Sequence, residues 1–295
     1  MSCPGGCLTG QSHQMLDMIR PGRLAEACDM RFPAAAKIRW RGRADHGWVL
    51  DMRGFGDPAF FGDRYAHEYD QTDVLDPAPA VEFLAGLIPG GGRVLELAAG
   101  TGRVAIPLAE RGIVVEGIEG SAAMAGQMRA KPGGASIPTT IGDMADVAVT
   151  GRFQLAYLVF NTLFNLPSQR RQVDCFRNVA KVLGPGGLFV IECFIQDLTK
   201  FDRDQRVATR ALTEDSVDME FLIHDPVAQA VTYQRVTFDA QGTTLRPLRL
   251  RYCWPSELDL MAQLAGMRLR ERYNDWDRSP FTAASRSHVS VYERV

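Results

Sequence analysis

The 295-residue chain is 46% hydrophobic and 23% charged, and 33 Lys and Arg against 35 Asp and Glu leave a net charge of -2. That balance buries a substantial core, excludes disordered, collagenous and coiled-coil chains, and lacks the basic excess that nucleic acid binding draws on. No run approaches the ~20 uninterrupted apolar residues of a membrane span, which argues against a membrane partner. Asp17 and Arg20 break the N-terminal apolar stretch too early for a secretion signal, so the expected location is cytoplasmic. The six cysteines include no Cys-x-x-Cys pair and are expected to be reduced, with no metal site.

In chain order, residues 1–52 are rich in Gly, Pro and Arg without a sustained hydrophobic period. They are expected to form a poorly structured tail, with Met52 as an alternative start. From Asp76 helical and strand patterns alternate, which predicts an α/β fold with a parallel sheet covered by helices on both faces. Pro77 and Pro79 open a helix that Pro89-Gly90-Gly91-Gly92 stops, and Arg93 to Leu97 is the first strand. A glycine turn at Ala98 to Gly102 leads to a helix ending at Gly112 and a strand over Ile113 to Ile118. A short helix from Ser121, a strand near Ile137 to Ile141 and an apolar run from Phe153 to Phe160 follow. Ser168 caps a helix that Gly184-Pro185-Gly186-Gly187 ends before a strand over Leu188 to Phe194.

Residues 197–252 change style. Val217 to His224, Gln229 to Phe238 and Thr243 to Tyr252 are strand-like runs separated by turn dipeptides, which predicts a small antiparallel β insert of three strands. It covers the acceptor site or forms a dimer surface. The core pattern, opened over 53–196, resumes over 253–295 with a helix from Ser256 to Ala265 and strands at Met267 to Tyr273 and His288 to Tyr292.

The glycine turn between strand and helix sits where open α/β sheets bind ligands. Gly100-x-Gly102-x-x-Ala105 satisfies the dinucleotide fingerprint, with Glu119 as ribose ligand. Charge separates the alternatives. Glu96 ends the first strand, Glu119 the second, and Asp143 follows the third. Three carboxylates repel a pyrophosphate, whereas S-adenosylmethionine offers an ammonium, a sulfonium, ribose hydroxyls and an adenine amino group. The Tyr-x-x-x-Lys pair of short-chain reductases is also absent.

Glu96-Leu97-Ala98-Ala99-Gly100-Thr101-Gly102, Gly117-Ile118-Glu119-Gly120-Ser121-Ala122-Ala123-Met124, Gly142-Asp143-Met144, Phe160-Asn161-Thr162-Leu163 and Leu183-Gly184-Pro185-Gly186-Gly187 occur in that order. Over about Phe55 to Val295 this set resembles the class I S-adenosylmethionine-dependent methyltransferases of small-molecule type. Tyr65-Ala66-His67-Glu68-Tyr69-Asp70 resembles the aromatic segment before their core. The resemblance implies a Rossmann-like seven-stranded sheet with an antiparallel last strand. It places the methionyl ammonium at Glu96 and Gly100, the ribose at Glu119, and the adenine at Asp143 and Met144. Tyr65, Ala98, Gly102, Gly120, Met124, Phe160 and Asn161 complete the expected cofactor site. Two residues depart from the family pattern: Ala98 where glycine is common, and Glu119 where aspartate is common.

The function so implied is methyl transfer to an oxygen, nitrogen or carbon nucleophile of a small-molecule acceptor, by a monomer or homodimer. A hydroxyl acceptor calls for a base, for which His67, Tyr69, Glu192 and His224 are candidates. The alternatives are a non-catalytic binding or regulatory module of the same fold and, behind it, an NAD(P)-dependent oxidoreductase.

Overall fold

A computed structural model of the chain describes residues 54–71 and 76–295. The expected N-terminal tail lies outside the described residues. Helices α1 (Phe60–Tyr65) and α2 (Ala78–Leu87) precede β1 (Arg93–Leu97), α3 (Ala105–Glu110), β2 (Val114–Glu119), α4 (Ala122–Ala130), β3 (Thr139–Ile141) and β4 (Phe153–Leu158). After α5 (Gln169–Val182) and β5 (Leu183–Phe194) come β6 (Gln205–Leu212), β7 (Ser216–Asp225), β8 (Ala230–Asp239) and β9 (Gly242–Arg251). The chain closes with α6 (Pro255–Leu264), β10 (Met267–Tyr273) and β11 (Ser287–Arg294).

Seven strands form one sheet in the order β3-β2-β1-β4-β5-β11-β10. Its strands run parallel except β11, which is antiparallel to both β5 and β10. Strand order reverses between β1 and β4, so the crevice beyond their carboxyl ends is the position where such sheets hold ligands. Being central, β1 is buried on both faces, and Val94, Leu95 and Leu97 are sealed completely. Helices α5 and α6 close one face around Phe176, Val179, Leu258 and Met261, and α2 and α3 close the other around Val81, Leu84, Ala105 and Leu108. The start of α5 is set by Ser168, whose hydroxyl accepts from the Arg171 amide at 3.3 Å.

Two elements differ from the sequence expectation. The insert has four strands, because β6 pairs with β7 from Gln205↔Ile223 to Leu212↔Val217. Its residues carry no hydrophobic alternation, and the neighbouring edge supplies the order that the local sequence lacks. Strand β5 begins at Leu183, which pairs with Phe153 before the Gly184 to Gly187 excursion, where Gly186 takes φ +70.

The insert is anchored at the end of β9 by a polar cluster. The buried Arg251 guanidinium donates to Glu257 at 2.7 Å, to Gln229 at 3.3 Å and to the Gln172 side-chain carbonyl. Gln172 returns a bond to the Arg251 carbonyl at 2.9 Å, and Gln169 and Gln229 donate to Glu257. Every member is satisfied, which is the condition for a buried charge to persist. Glu257→Ala removes the counter-charge and is expected to cost about 3–5 kcal/mol. Arg251→Met combined with Glu257→Ala should cost less than Glu257→Ala alone in urea unfolding, because the stranded charge is then gone.

Candidate active site

Left-handed backbone shapes the turn after β1: Ala98, Gly100 and Gly102 have φ of 53, 58 and 78. Ala98 tolerates this at a cost of roughly 1 kcal/mol where glycine would pay none. A Cβ on Gly100 would meet only the Ala98 carbonyl at 3.9 Å, so the space above the loop is open. A Cβ on Gly102 would lie 2.6 Å from Met128 Cγ, so below it the loop packs directly on α4.

Glu119 joins this loop to the next. One carboxylate oxygen accepts the Gly100 amide at 2.7 Å and the other the Ser121 amide at 2.9 Å. Burial raises the carboxyl above its ordinary range, against the pull of the amides. Ser121 then caps α4 by accepting from Met124 at 3.2 Å. Asp143 accepts from the Ala145 amide at 2.8 Å and from Arg171 at 2.7 Å, so its charge is already paired. Glu96 lies directly opposite Tyr157 in the β1–β4 register and is 3% exposed. One of its oxygens has no hydrogen-bond partner, and burial pushes the carboxyl up to about 8.

Residues 54–71 lie over these loops. Gly62 sits so close to α4 that a Cβ there would come within 2.3 Å of Ser121 Cβ, and Ser121 Oγ donates to Asp63 at 2.6 Å. Asp70 accepts from Thr101 at 2.6 Å and pairs with Lys131 at 2.7 Å. Arg103 donates to the Tyr69 hydroxyl at 3.0 Å, its guanidinium stacked over the Tyr69 and Phe160 rings. On the insert side, Tyr65 donates to the Pro247 carbonyl at 2.9 Å and Glu68 accepts two bonds from Arg246 at 2.8 Å.

Between the glycine loop, this segment and β9 runs a cleft of about 880 Å³, counted to its solvent-open mouth. Of the expected cofactor residues, Ala98, Gly100, Glu119, Gly120, Met124, Asp143 and Met144 line it, as does Tyr69. Glu96, Gly102, Phe160 and Asn161 are not among the residues that line it, and Tyr65 bonds to the insert instead. Phe160 and Asn161 hold left-handed backbone, with φ of 56 and 63, fixed by Glu192 accepting the Phe160 amide at 2.7 Å and Asn161 accepting the Phe194 amide at 2.5 Å.

Three of the candidate bases do not reach the cleft. Glu192 spends its second oxygen on the Trp276 indole at 3.0 Å. His224 is buried between Asp204 at 3.1 Å and Tyr252 at 2.9 Å, and His67 is exposed away from the wall. Beyond the residues expected from the sequence, Gly142, Thr162, Asn165, Leu166 and Pro167, Leu248 and Arg249 of β9, and Phe55 to Pro58 with Phe60 to Gly62 also line the cleft. The Phe-Gly-Asp-Pro and Phe-Phe-Gly-Asp runs at 55–58 and 60–63 were the available signal for the last group.

Comparison with known proteins places the chain. Residues 94–187 match the family model described as a methyltransferase domain. The CcbJ methyltransferase from Streptomyces caelestis is 37% identical, with a TM-score of 0.76 over 81% of this chain and 99% of that one. The cypemycin N-terminal methyltransferase from a Streptomyces species is 28% identical over 247 residues, which are 81% of this chain and 99% of that protein. At 18% identity, CalS10, an amino pentose methyltransferase from Micromonospora echinaspora solved with S-adenosylmethionine bound, shares the fold, with a TM-score of 0.61 over 85% of this chain and 100% of that one. The protein belongs to the class I S-adenosylmethionine-dependent methyltransferases, and S-adenosylmethionine is its cofactor.

The residues present fit that group. Gly100 faces open space, and nothing lies within 4 Å of a Cβ built on Gly142. The Glu119 carboxylate retains lone pairs beyond the two given to amides. Gly142→Val should therefore fill the cleft and weaken cofactor binding at least tenfold in calorimetric titration while leaving the melting temperature unchanged. Glu119→Ala should lower both, because two buried amides lose their acceptor at about 1–3 kcal/mol each.

Glu96 generates a pH dependence. Its folded-state value of about 8 exceeds the ordinary 4.5, so the folded protein holds an extra proton between them and loses stability as pH rises through that window. Glu96→Gln removes this loss. The melting temperature of the variant should gain on that of the wild type from acid to mildly alkaline pH.

Proposed function

We propose that the enzyme methylates a neutral amine of a small molecule. The supporting observation is the absence of a poised base along the described cleft wall. Its carboxylates are engaged, Glu119 by amides, Asp143 by Arg171 and Asp57 by the Ala59 amide at 2.9 Å, and no histidine lines it. Tyr69 is the remaining candidate base on the wall, and burial raises its hydroxyl further above the ordinary range. A neutral amine already carries the lone pair that attacks, so it needs no proton removed beforehand. The name of the cypemycin relative, an N-terminal methyltransferase, points the same way.

S-adenosylmethionine supplies the electrophilic methyl group. In this reading Glu119 and Gly120 hold the ribose, Asp143 and Met144 flank the adenine, and Ala98 and Gly100 cradle the methionyl end. Glu96, buried at the end of β1 just before the loop, keeps one oxygen without a hydrogen-bond partner. Thr162, Asn165 and Leu248 shape the acceptor end, while the 54–71 segment and β9 exclude water. Holding donor and acceptor in line supplies up to ~7 to 11 kcal/mol of the barrier, which makes positioning the main task of these residues.

A panel of small amines and their hydroxyl counterparts, assayed for methyl transfer across pH, tests this reading. Amines should be methylated, with kcat/KM rising as the free amine loses its proton and levelling above its pKa. Methylation confined to hydroxyl compounds would refute it.

A further inference from the structure

Arg249 is the one cation among the described residues that line the cleft. The backbone on either side fixes its place. Two residues before it the Pro247 carbonyl accepts from Tyr65 at 2.9 Å, and two residues after it the Arg251 carbonyl accepts from Gln172 at 2.9 Å. Gln172 also donates to the Leu163 carbonyl at 3.3 Å, which ties this end of β9 to the turn over residues 162–165.

The Arg249 side chain is exposed and makes no ion pair or hydrogen bond with a described residue. The other arginines of strands β6 to β9, namely Arg206, Arg210, Arg235, Arg246 and Arg251, each pair with a carboxylate. On the turn, Thr162 spends its hydroxyl on the Val159 carbonyl at 2.7 Å, whereas the side-chain amide of the half-buried Asn165 has no described partner. Two residues that line the cleft from adjoining elements thus keep N–H donors that no described group accepts.

We propose that Arg249 and Asn165 bind a carboxylate carried by the acceptor, so that the substrate class is an amine that also bears a carboxylate. The proposal rests on the amine reading above and adds the second group. Charge selects an anion. S-adenosylmethionine brings a sulfonium into the cleft, and an unpaired guanidinium on the wall of the same cleft repels it until an anion intervenes. One guanidinium matches the single charge and the planar oxygen pair of a carboxylate. A phosphate monoester carries about 1.5 to 2 charges and calls for more cations than this wall supplies. With the carboxylate held, the amine lone pair forms the new C–N bond as the C–S bond of the methyl donor breaks with its electron pair going to sulfur. The product ammonium then releases its proton to solvent.

Saturation-transfer NMR on the full chain with S-adenosylhomocysteine, the demethylated cofactor, tests the contact with phenylacetate, phenylacetamide and phenyl phosphate as probes. Phenylacetate should bind at least about tenfold more tightly than the other two, and Arg249→Gln should remove that preference. The side chain is exposed and unpaired, so the variant should keep the wild-type melting temperature and a cofactor affinity within about threefold. A methyl-transfer panel of amino acids, their amides and the corresponding hydroxy acids completes the test. Amino acids should lead, and Arg249→Gln should raise their KM while leaving that of the amides unchanged. No binding of phenylacetate, equal binding of acid and amide, or a preference for phenyl phosphate overturns the proposal. Loss of cofactor affinity in Arg249→Gln does so too, because the guanidinium then serves the carboxylate of the cofactor itself. Hydroxy acids methylated in place of amino acids refute the amine reading and leave the carboxylate contact standing; amines methylated without regard to a carboxylate do the reverse.

Discussion

The Glu119 carboxylate holds the site together. It closes β2, takes the Gly100 amide of the turn after β1 and the Ser121 amide at the head of α4, and so locks two loops that start on neighbouring strands. Through Ser121 the constraint reaches Asp63 and the segment laid across the loops. An aspartate at this position would be one methylene shorter. The longer glutamate gives its carboxylate the reach to meet the glycine loop, and this is the structural content of its departure from the family pattern.

The carboxylates that made the chain legible as a methyltransferase turn out to differ in character. Glu119 is on the cleft wall and tied to amides. Asp143 is on the wall but already paired with Arg171. Glu96 does not line the cleft; it lies opposite Tyr157, and burial keeps it protonated up to about 8. A sequence reading counts three negative charges at three strand ends; the folded chain presents an amide-bound carboxylate, a neutralised one and a neutral acid. Burial and partners set ionisation, and neither is written in the spacing of motifs.

The insert ties the two ends of the site to one another. Arg251 secures it to α5 and α6, while Arg246 and Tyr65 secure it to the segment over the cofactor cleft. The cleft is consequently walled by β9 on one side and by Thr162, Asn165, Leu166 and Pro167 on the other. In the reading proposed above, the central sheet holds the cofactor and the addition shapes the acceptor end, a division by which one scaffold serves several acceptors.

By itself, the amino-acid sequence determined the alternation of strands and helices, the glycine turn, the acidic strand ends and the family, because these are local: hydrophobic period, turn chemistry and residues a few positions apart. The seven-stranded sheet with its antiparallel β11 is what the family resemblance implies, and the fold bears it out. Only tertiary structure decided that β6 is a strand, since its order comes from pairing with β7 rather than from its own pattern. It likewise decided that Phe160 and Asn161 hold left-handed backbone bonded to Glu192 and Phe194, that His224 is buried between Asp204 and Tyr252, and that residues of the 55–62 stretch and of β9 line the cleft. Those outcomes depend on contacts between residues such as Glu68 and Arg246, nearly two hundred positions apart, and no local rule specifies which distant partner a side chain meets.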